Sequence, residues 1–256
     1  MGVLTSDAII LRTWPVQEAD LIVSFFTRDY GKVRGVAKAA LKSRKRFGGA
    51  LEPMTVARAW FAERPGQELA RLDQLEIQSS PLMQPVDAAR MTALSLYAEV
   101  LDEALPDHDP QETVFRLLVA VLEQTVAEQP GAGERKAAGV WMPVTYFLLW
   151  MTRLIGLLPD LGHCTVCGEP LHGAEFFYSS YGDGLLCPVH RGGNSNVLSE
   201  EGWRLAQRML KQPVAAFAGE PWPQRRGQDL RHFAVQALER HLEKGLKSAE
   251  AMARLG

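Results

Sequence analysis

Three cysteines in 256 residues are too few, and odd in number, for a disulfide framework. They place the chain in a reducing compartment. Charge of either sign is scarce as a surplus. The 28 Lys+Arg and 30 Asp+Glu leave a formal net charge of -2, so the chain as a whole is no polycation built for nucleic acid. A secretory signal is missing, because Asp7, Arg12, Glu18 and Asp20 interrupt any apolar stretch at the start. The one long hydrophobic run, residues 140–158, contains Pro143, Thr145, Thr152 and Arg153. It is a poor membrane span and a better buried core helix. These features lead us to expect a cytoplasmic protein with no membrane partner.

Motifs for catalysis are lacking too. We find no Gly-x-x-x-x-Gly-Lys-[Ser/Thr] phosphate loop, no Gly-x-Gly-x-x-Gly turn and no Gly-x-Ser-x-Gly elbow. Neither His-Glu-x-x-His nor a His-x-Glu ahead of Pro-Cys-x-x-Cys occurs, which argues against zinc peptidase and nucleobase deaminase chemistry. The expectation is a binding protein rather than an enzyme.

What is present falls into regions. Residues 1–80 are rich in strand formers, with predicted strands at 7–13, 19–27, 32–37, 51–61 and 69–79. Asp29-Tyr30-Gly31 predicts a hairpin turn and Pro65-Gly66 another. Five short strands in 80 residues fit an OB-fold β-barrel, and an SH3-like barrel would give nearly the same pattern. Residues 81–160 are predicted helical, over 87–104 and 113–128, with a break at Pro130-Gly131-Ala132-Gly133 ahead of the apolar run. The stretch 85–133 holds Arg90 and Arg116 against nine carboxylates, which we take for a solvated helix surface. Residues 161–195 form a Gly-rich insert holding all three cysteines, and 196–256 return to helix, with Ser199 as an N-cap and a last helix at about 230–246. The fold class is therefore multi-domain α+β: the barrel, then a mostly α-helical domain in two parts carrying the insert.

Two constellations carry chemistry. Charge is uneven along the chain: residues 1–80 hold 12 Lys+Arg against 9 Asp+Glu, while 81–256 hold 16 against 21. The cations concentrate in Arg28, Lys32, Arg34, Lys38, Lys42, Arg44, Lys45 and Arg46, with Asp29 the only acid among residues 28–46. Lys32 and Arg34 lie two apart on a strand and so share a face. Such a run binds phosphates through counterion release, with Tyr30 and Phe47 as candidates to stack on unpaired bases. Residues 44–46 are expected to order on nucleic acid. The second constellation is Cys164-Thr165-Val166-Cys167 followed by Cys187-Pro188-Val189-His190. Two ligand pairs, each separated by two residues, match a structural Zn²⁺ site of the zinc-ribbon kind. Residues 175–180 form the predicted strand between them, and Gly182-Asp183-Gly184 a turn. His190 fits best as the fourth ligand, with His163 and His172 as competitors.

Several segments resemble the bacterial recombination mediator family RecO. They are the Tyr30-Gly31-Lys32 turn with the basic stretch after it, Gly156-Leu157-Leu158-Pro159-Asp160-Leu161 leading into Cys164-x-x-Cys167-Gly168, Phe176-Phe177 to Gly184-Leu185-Leu186-Cys187, and the closing Leu246-Lys247-Ser248. The resemblance implies an OB-fold followed by a helical domain with a zinc-ribbon-like insert, and a nucleoid-associated DNA repair role. It also implies binding and annealing of single- and double-stranded DNA, with partners RecR and single-strand-binding protein, and RecA loaded indirectly. Family members with zinc commonly present four cysteines; here His190 stands at the last position. Three other readings compete: an RNA- or ribosome-associated OB protein, a zinc hydrolase, and a structural assembly subunit.

Overall fold

The computed structural model describes residues 2–16, 18–127, 139–173 and 175–255. The expected break at Pro130–Gly133 and the predicted helix end at Glu128 lie outside the described residues. The chain divides into two compact units, 1–122 and 123–256.

In the first unit five strands, β1 (Leu4–Pro15), β2 (Leu21–Thr27), β3 (Gly31–Ala37), β4 (Val56–Ala62) and β5 (Ala70–Ser79), close a barrel in the order β1-β2-β3-β5-β4. All pairings are antiparallel except β3 with β5, the OB arrangement. β1 closes the barrel by pairing with β4 through Leu4–Ile9 and with β2 through Ala8–Pro15. A register shift between Ile10 and Arg12 bends it there, as a bulge does. Ala8, Ile10, Leu21, Val23, Phe25, Val33, Ala37, Phe61 and Leu72 fill the interior. Ile9 and Leu11 are also fully buried, which explains the unbroken Ala-Ile-Ile-Leu run: this part of β1 is covered on both faces.

Between β3 and β4 the chain makes a 3-10 turn at Ala40–Lys42 and the short helix α1 (Arg44–Phe47). β4 starts at Val56, five residues later than expected; Met54 takes a positive φ of 64°, which ends extended backbone there. The helix α2 (Ala88–Ala104) is capped by the Asp87 side chain accepting from the Arg90 amide at 2.8 Å, and α3 (Glu112–Val126) follows.

The second unit is built on α4 (Trp141–Leu154), followed by the paired strands β6 (Glu175–Tyr178) and β7 (Asn196–Ser199), then α5 (Glu200–Met209), α6 (Gln228–Leu242) and α7 (Lys247–Ala253). α4 is buried along nearly its whole length. Pro143 is harmless because it falls in the first turn, where amides lack intrahelical partners. No helix among the described residues is long and apolar enough to cross a membrane. Arg231 on α6 is buried and donates to Thr145 Oγ1 at 2.8 Å, to the Arg226 carbonyl at 2.9 Å and to the Gln224 carbonyl, with its guanidinium over Trp141. Burial brings its pKa down to about 10, opposed by Asp229. α6 ends at Glu243, which adopts φ 53°, so the predicted helix at 230–246 stops four residues early and Leu246 instead caps α7. Ser199 does cap α5, accepting from the Gly202 amide at 3.0 Å.

Candidate nucleic-acid interface and metal centre

The eight cations of residues 28–46 separate into two groups. Lys32 is 4% exposed. Its ammonium donates to the Asp102 carbonyl at 2.5 Å and lies 3.3 Å from Asp107 Oδ1, and the Asp107–Lys32 backbone contact continues through His108 N to Lys32 O at 2.9 Å. Arg28 lies 3.9 Å from both Asp7 Oδ2 and Glu112 Oε1 and stacks over Phe115. Arg46 turns inward on its own loop, donating to Ser43 Oγ at 3.0 Å and the Lys38 carbonyl at 2.5 Å. These three are engaged within the chain. Lys32 in particular is corrected: it shares the outer strand face with Arg34 as expected, but α2 and the turn after it cover that end.

Arg34, Lys38, Lys42, Arg44 and Lys45 are exposed, and none forms an ion pair with another described residue. The loop that presents four of them is held at several points. The Ala39 amide donates to Asp20 Oδ1 at 2.7 Å, the Leu41 amide donates to the Ala19 carbonyl at 3.2 Å, and Ala40 and Phe47 are buried in the barrel core. Residues 44–46 form a helical turn fixed by Phe47. Of the aromatics expected as base platforms, Phe47 is buried in the core, and Tyr30 is half-buried and packs edge-on against Phe61 at 5.6 Å.

The acidic stretch after the barrel is not merely solvated. Asp102 and Glu99 are buried. Asp102 accepts from Ser24 Oγ at 2.6 Å and lies 3.6 Å from Arg12 Nε, and Glu103 lies 3.7 Å from Arg12 Nη1. Asp7 anchors the other side of the barrel. Burial raises its pKa, but hydrogen bonds from Arg58 at 2.9 Å and Gln78 at 2.7 Å outweigh that and hold it below the usual carboxylate value.

In the second unit Cys164, Cys167, Cys187 and His190 bring their ligand atoms within 4.8 Å of one another. His190 Nδ1 lies 3.2 Å from Cys187 Sγ and 3.7 Å from Cys164 Sγ. A tetrahedral zinc with ordinary Zn–S and Zn–N bonds sets such pairs about 3.5 Å apart, so the donor set and spacing fit that ion. Two turns supply the ligands. Gly168 (φ 73°) closes the first, its amide donating to the Cys164 carbonyl at 2.8 Å, and the His190 amide donates to the Cys187 carbonyl at 3.0 Å in the second. Gly184 (φ 91°) packs so close to Thr165 that a β-carbon would overlap its methyl group. Burial raises the Cys164 thiol, while amide donors at Cys167, Cys187 and Val166 outweigh it and bring the pKa down to about 6, favouring the thiolate a metal needs. His163 instead hydrogen-bonds Asp160 at 2.7 Å, and His172 is exposed; neither joins the cluster. Among the described residues the expected hairpin inside the insert is reduced to the Phe177–Leu186 bridge, since β6 takes β7 as its partner.

Fold and site together define an OB-barrel protein of the multi-domain α+β kind, with a metal-competent cysteine–histidine cluster in its helical half. Comparison with known proteins narrows this. The family model Recombination protein O N terminal matches residues 1–81, and Recombination protein O C terminal matches 85–250. "DNA repair protein RecO" of Koribacter versatilis is 51% identical over 98% of this chain and 98% of its own. The protein of that name from Anaeromyxobacter sp. (strain K) is 31% identical over 97% and 95%, and that from Pelotomaculum thermopropionicum is 29% identical over 100% and 96%. The chain belongs to the RecO family.

Proposed function

We propose that this chain is a DNA-binding recombination mediator of DNA repair with no catalysis of its own. It binds single- and double-stranded DNA, anneals complementary strands and, with RecR, helps load RecA on strands coated by single-strand-binding protein. The observation that carries this is the set of five exposed, unpaired cations, Arg34, Lys38, Lys42, Arg44 and Lys45, on the OB barrel of a RecO-family chain. Cations on a backbone anchored at Ala39, Leu41 and Phe47 neutralise phosphate without first having to be ordered. Annealing requires two polyanions to approach, and phosphate neutralisation lowers their repulsion while leaving base edges free to pair.

In this reading Cys164, Cys167, Cys187 and His190 hold a structural Zn²⁺ that ties the two turns of the insert together when bound. Four protein ligands close the coordination shell, which suits a structural rather than a catalytic site. The protein works in the cytoplasm on the nucleoid.

The test is annealing of complementary strands, bare and coated with single-strand-binding protein, by the wild type and by a chain carrying Lys38→Gln, Lys42→Gln, Arg44→Gln and Lys45→Gln. The side chains are exposed, so the variant is expected to melt like the wild type and to lose annealing of bare strands. A variant that anneals at the wild-type rate would sink the proposal.

A further inference from the structure

The outer face of β1-β2-β3 is organised in cross-strand rows, because directly paired residues point to the same side of a sheet. Ile9, Phe26 and Lys32 form the first row. It is covered within the first unit: Phe26 packs on Phe115, and Lys32 on Asp102 and Asp107. Arg12, Ser24 and Arg34 form the second, partly covered through Asp102. Trp14, Ile22 and Val36 form the third, and no helix among the described residues of the first unit packs on it. Trp14 is 37% exposed, and Ile22 and Val36 are half-buried. The loops that flank this row add Val16, 51% exposed, and Leu41, 64% exposed. They are joined directly, with the Leu41 amide bonded to the Ala19 carbonyl and the Ala39 amide to Asp20.

Scattered apolar side chains on a surface need no explanation. These are not scattered. They sit at one end of one sheet face, with Arg34 in the neighbouring row, exposed Lys38 and Lys42 in the same loop as Leu41, and Glu18 and Asp20 in the loop bonded to it. Apolar surface with three exposed cations, Arg34, Lys38 and Lys42, along one side and Asp20 tied to the Ala39 amide on the other matches a ligand with a flat apolar part and anionic links, the chemistry of an unpaired nucleotide. We propose that Trp14, backed by Ile22 and Val36, and Leu41 form a platform for unpaired nucleobases, with Trp14 stacking on a base and Leu41 seated against or between neighbouring bases. The platform rests on the DNA-binding reading above and gives it something the cations alone lack, a preference for bases exposed by strand opening. The covered first row sets its limit: DNA is confined to the end of the face away from α2 and α3.

The experiment measures binding of the full-length protein to three probes at fixed salt: a thymidine oligonucleotide, an abasic oligonucleotide of equal length, and a blunt duplex. The abasic strand keeps the phosphates and removes the bases. Stacking on an aromatic side chain is worth at least a factor of about five per base, so the wild type should favour the thymidine strand by that factor or more. Trp14→Ala and Leu41→Ser should each shrink the preference while leaving abasic and duplex affinity, and the salt slope, unchanged. Leu41 is largely exposed, so its variant tests the platform even if Trp14→Ala folds poorly. A 2-aminopurine in the strand should change its fluorescence on binding to the wild type, as it leaves its neighbouring bases for Trp14 and Leu41, and change less with Leu41→Ser. A wild-type protein indifferent to the bases, or variants that keep the full preference, would overturn the platform while leaving phosphate binding intact. Failure of the wild type to bind any of the three strands would overturn the DNA reading itself, and the platform with it.

Discussion

Lys32→Gln separates the two jobs that basic residues do in this barrel. The Lys32 ammonium lies 2.5 Å from the Asp102 carbonyl and 3.3 Å from Asp107, with its side chain 5% exposed. A hydrogen bond from a charged donor contributes about 1.5–3 kcal/mol. The pair with Asp107, whose carboxylate is nearly half exposed, adds less than about 1 kcal/mol because solvent screens it. Gln is shorter and neutral and cannot reproduce both contacts, so we expect a loss of roughly 2–3 kcal/mol from the first unit. That is a sizeable part of a typical stability of about 5–15 kcal/mol, and lowers its melting temperature by roughly 5–15 °C. Thermal melts followed by circular dichroism read the loss. DNA affinity measured below the variant's melting point, across a salt series, should match the wild type, because Lys32 faces Asp102 and Asp107 rather than solvent. A Lys32→Gln chain that melts normally yet binds DNA weakly, with a shallower salt dependence, would refute this division of labour.

Other predictions test the supports of each site. Purified protein should carry one zinc per chain, and chelation or Cys187→Ser should lower the melting temperature of the second unit; identical melts with and without metal would count against a structural ion. Glu220 is held below the ordinary glutamate value of 4.5 first by the Arg208 hydrogen bond at 2.6 Å, opposed by burial and reinforced by Arg226 at 2.5 Å. Its folded pKa is depressed, so its stabilisation is full above the unfolded value and disappears as pH falls through the folded one. Glu220→Gln should therefore cost stability at neutral pH and progressively less in acid, and a pH-independent difference would contradict the pairing. Gly31 takes φ 70°, and a β-carbon there would fall on the Asp109 backbone. Gly31→Ala should destabilise the first unit by about 2 kcal/mol or more, read as a shift in the urea midpoint.

Local pattern made much of this molecule legible. The barrel strands followed from β-branched and aromatic runs with glycine turns, and the metal cluster followed from pair spacing, because Cys164-x-x-Cys167 and Cys187-x-x-His190 are each settled within one turn of chain. Of the candidate histidines, the structure brings His190, the best fit in the sequence, to the thiols and pairs His163 with Asp160. Lys32 was misplaced for a different reason. Its neighbours Asp102 and Asp107 are some seventy residues away, and nothing in a period-two strand tells a solvent-facing cation from one covered by a later helix. The acidity of residues 85–133 was the available signal: carboxylates following a cationic barrel can be its partners. Arg46 and Phe47 likewise look like ligand contacts in a linear reading, whereas one staples the loop and the other fills the core. Nothing in the local sequence marks Trp14, because its exposure depends on the β1 bulge and on which cross-strand row the described helices leave open.

We propose above that the exposed cations of β3 and the loop after it, Arg34 to Lys45, carry the contact with DNA phosphates. The most direct test is the dependence of single-strand affinity on salt for the wild type and for the chain with Lys38, Lys42, Arg44 and Lys45 changed to Gln. Each phosphate contact contributes about 0.7 to the slope of log affinity against log salt on single strands. The account predicts a slope shallower by up to about 3, with weaker binding at every salt concentration and an unchanged melting temperature. An unaltered slope, with affinity preserved at low salt, would contradict it.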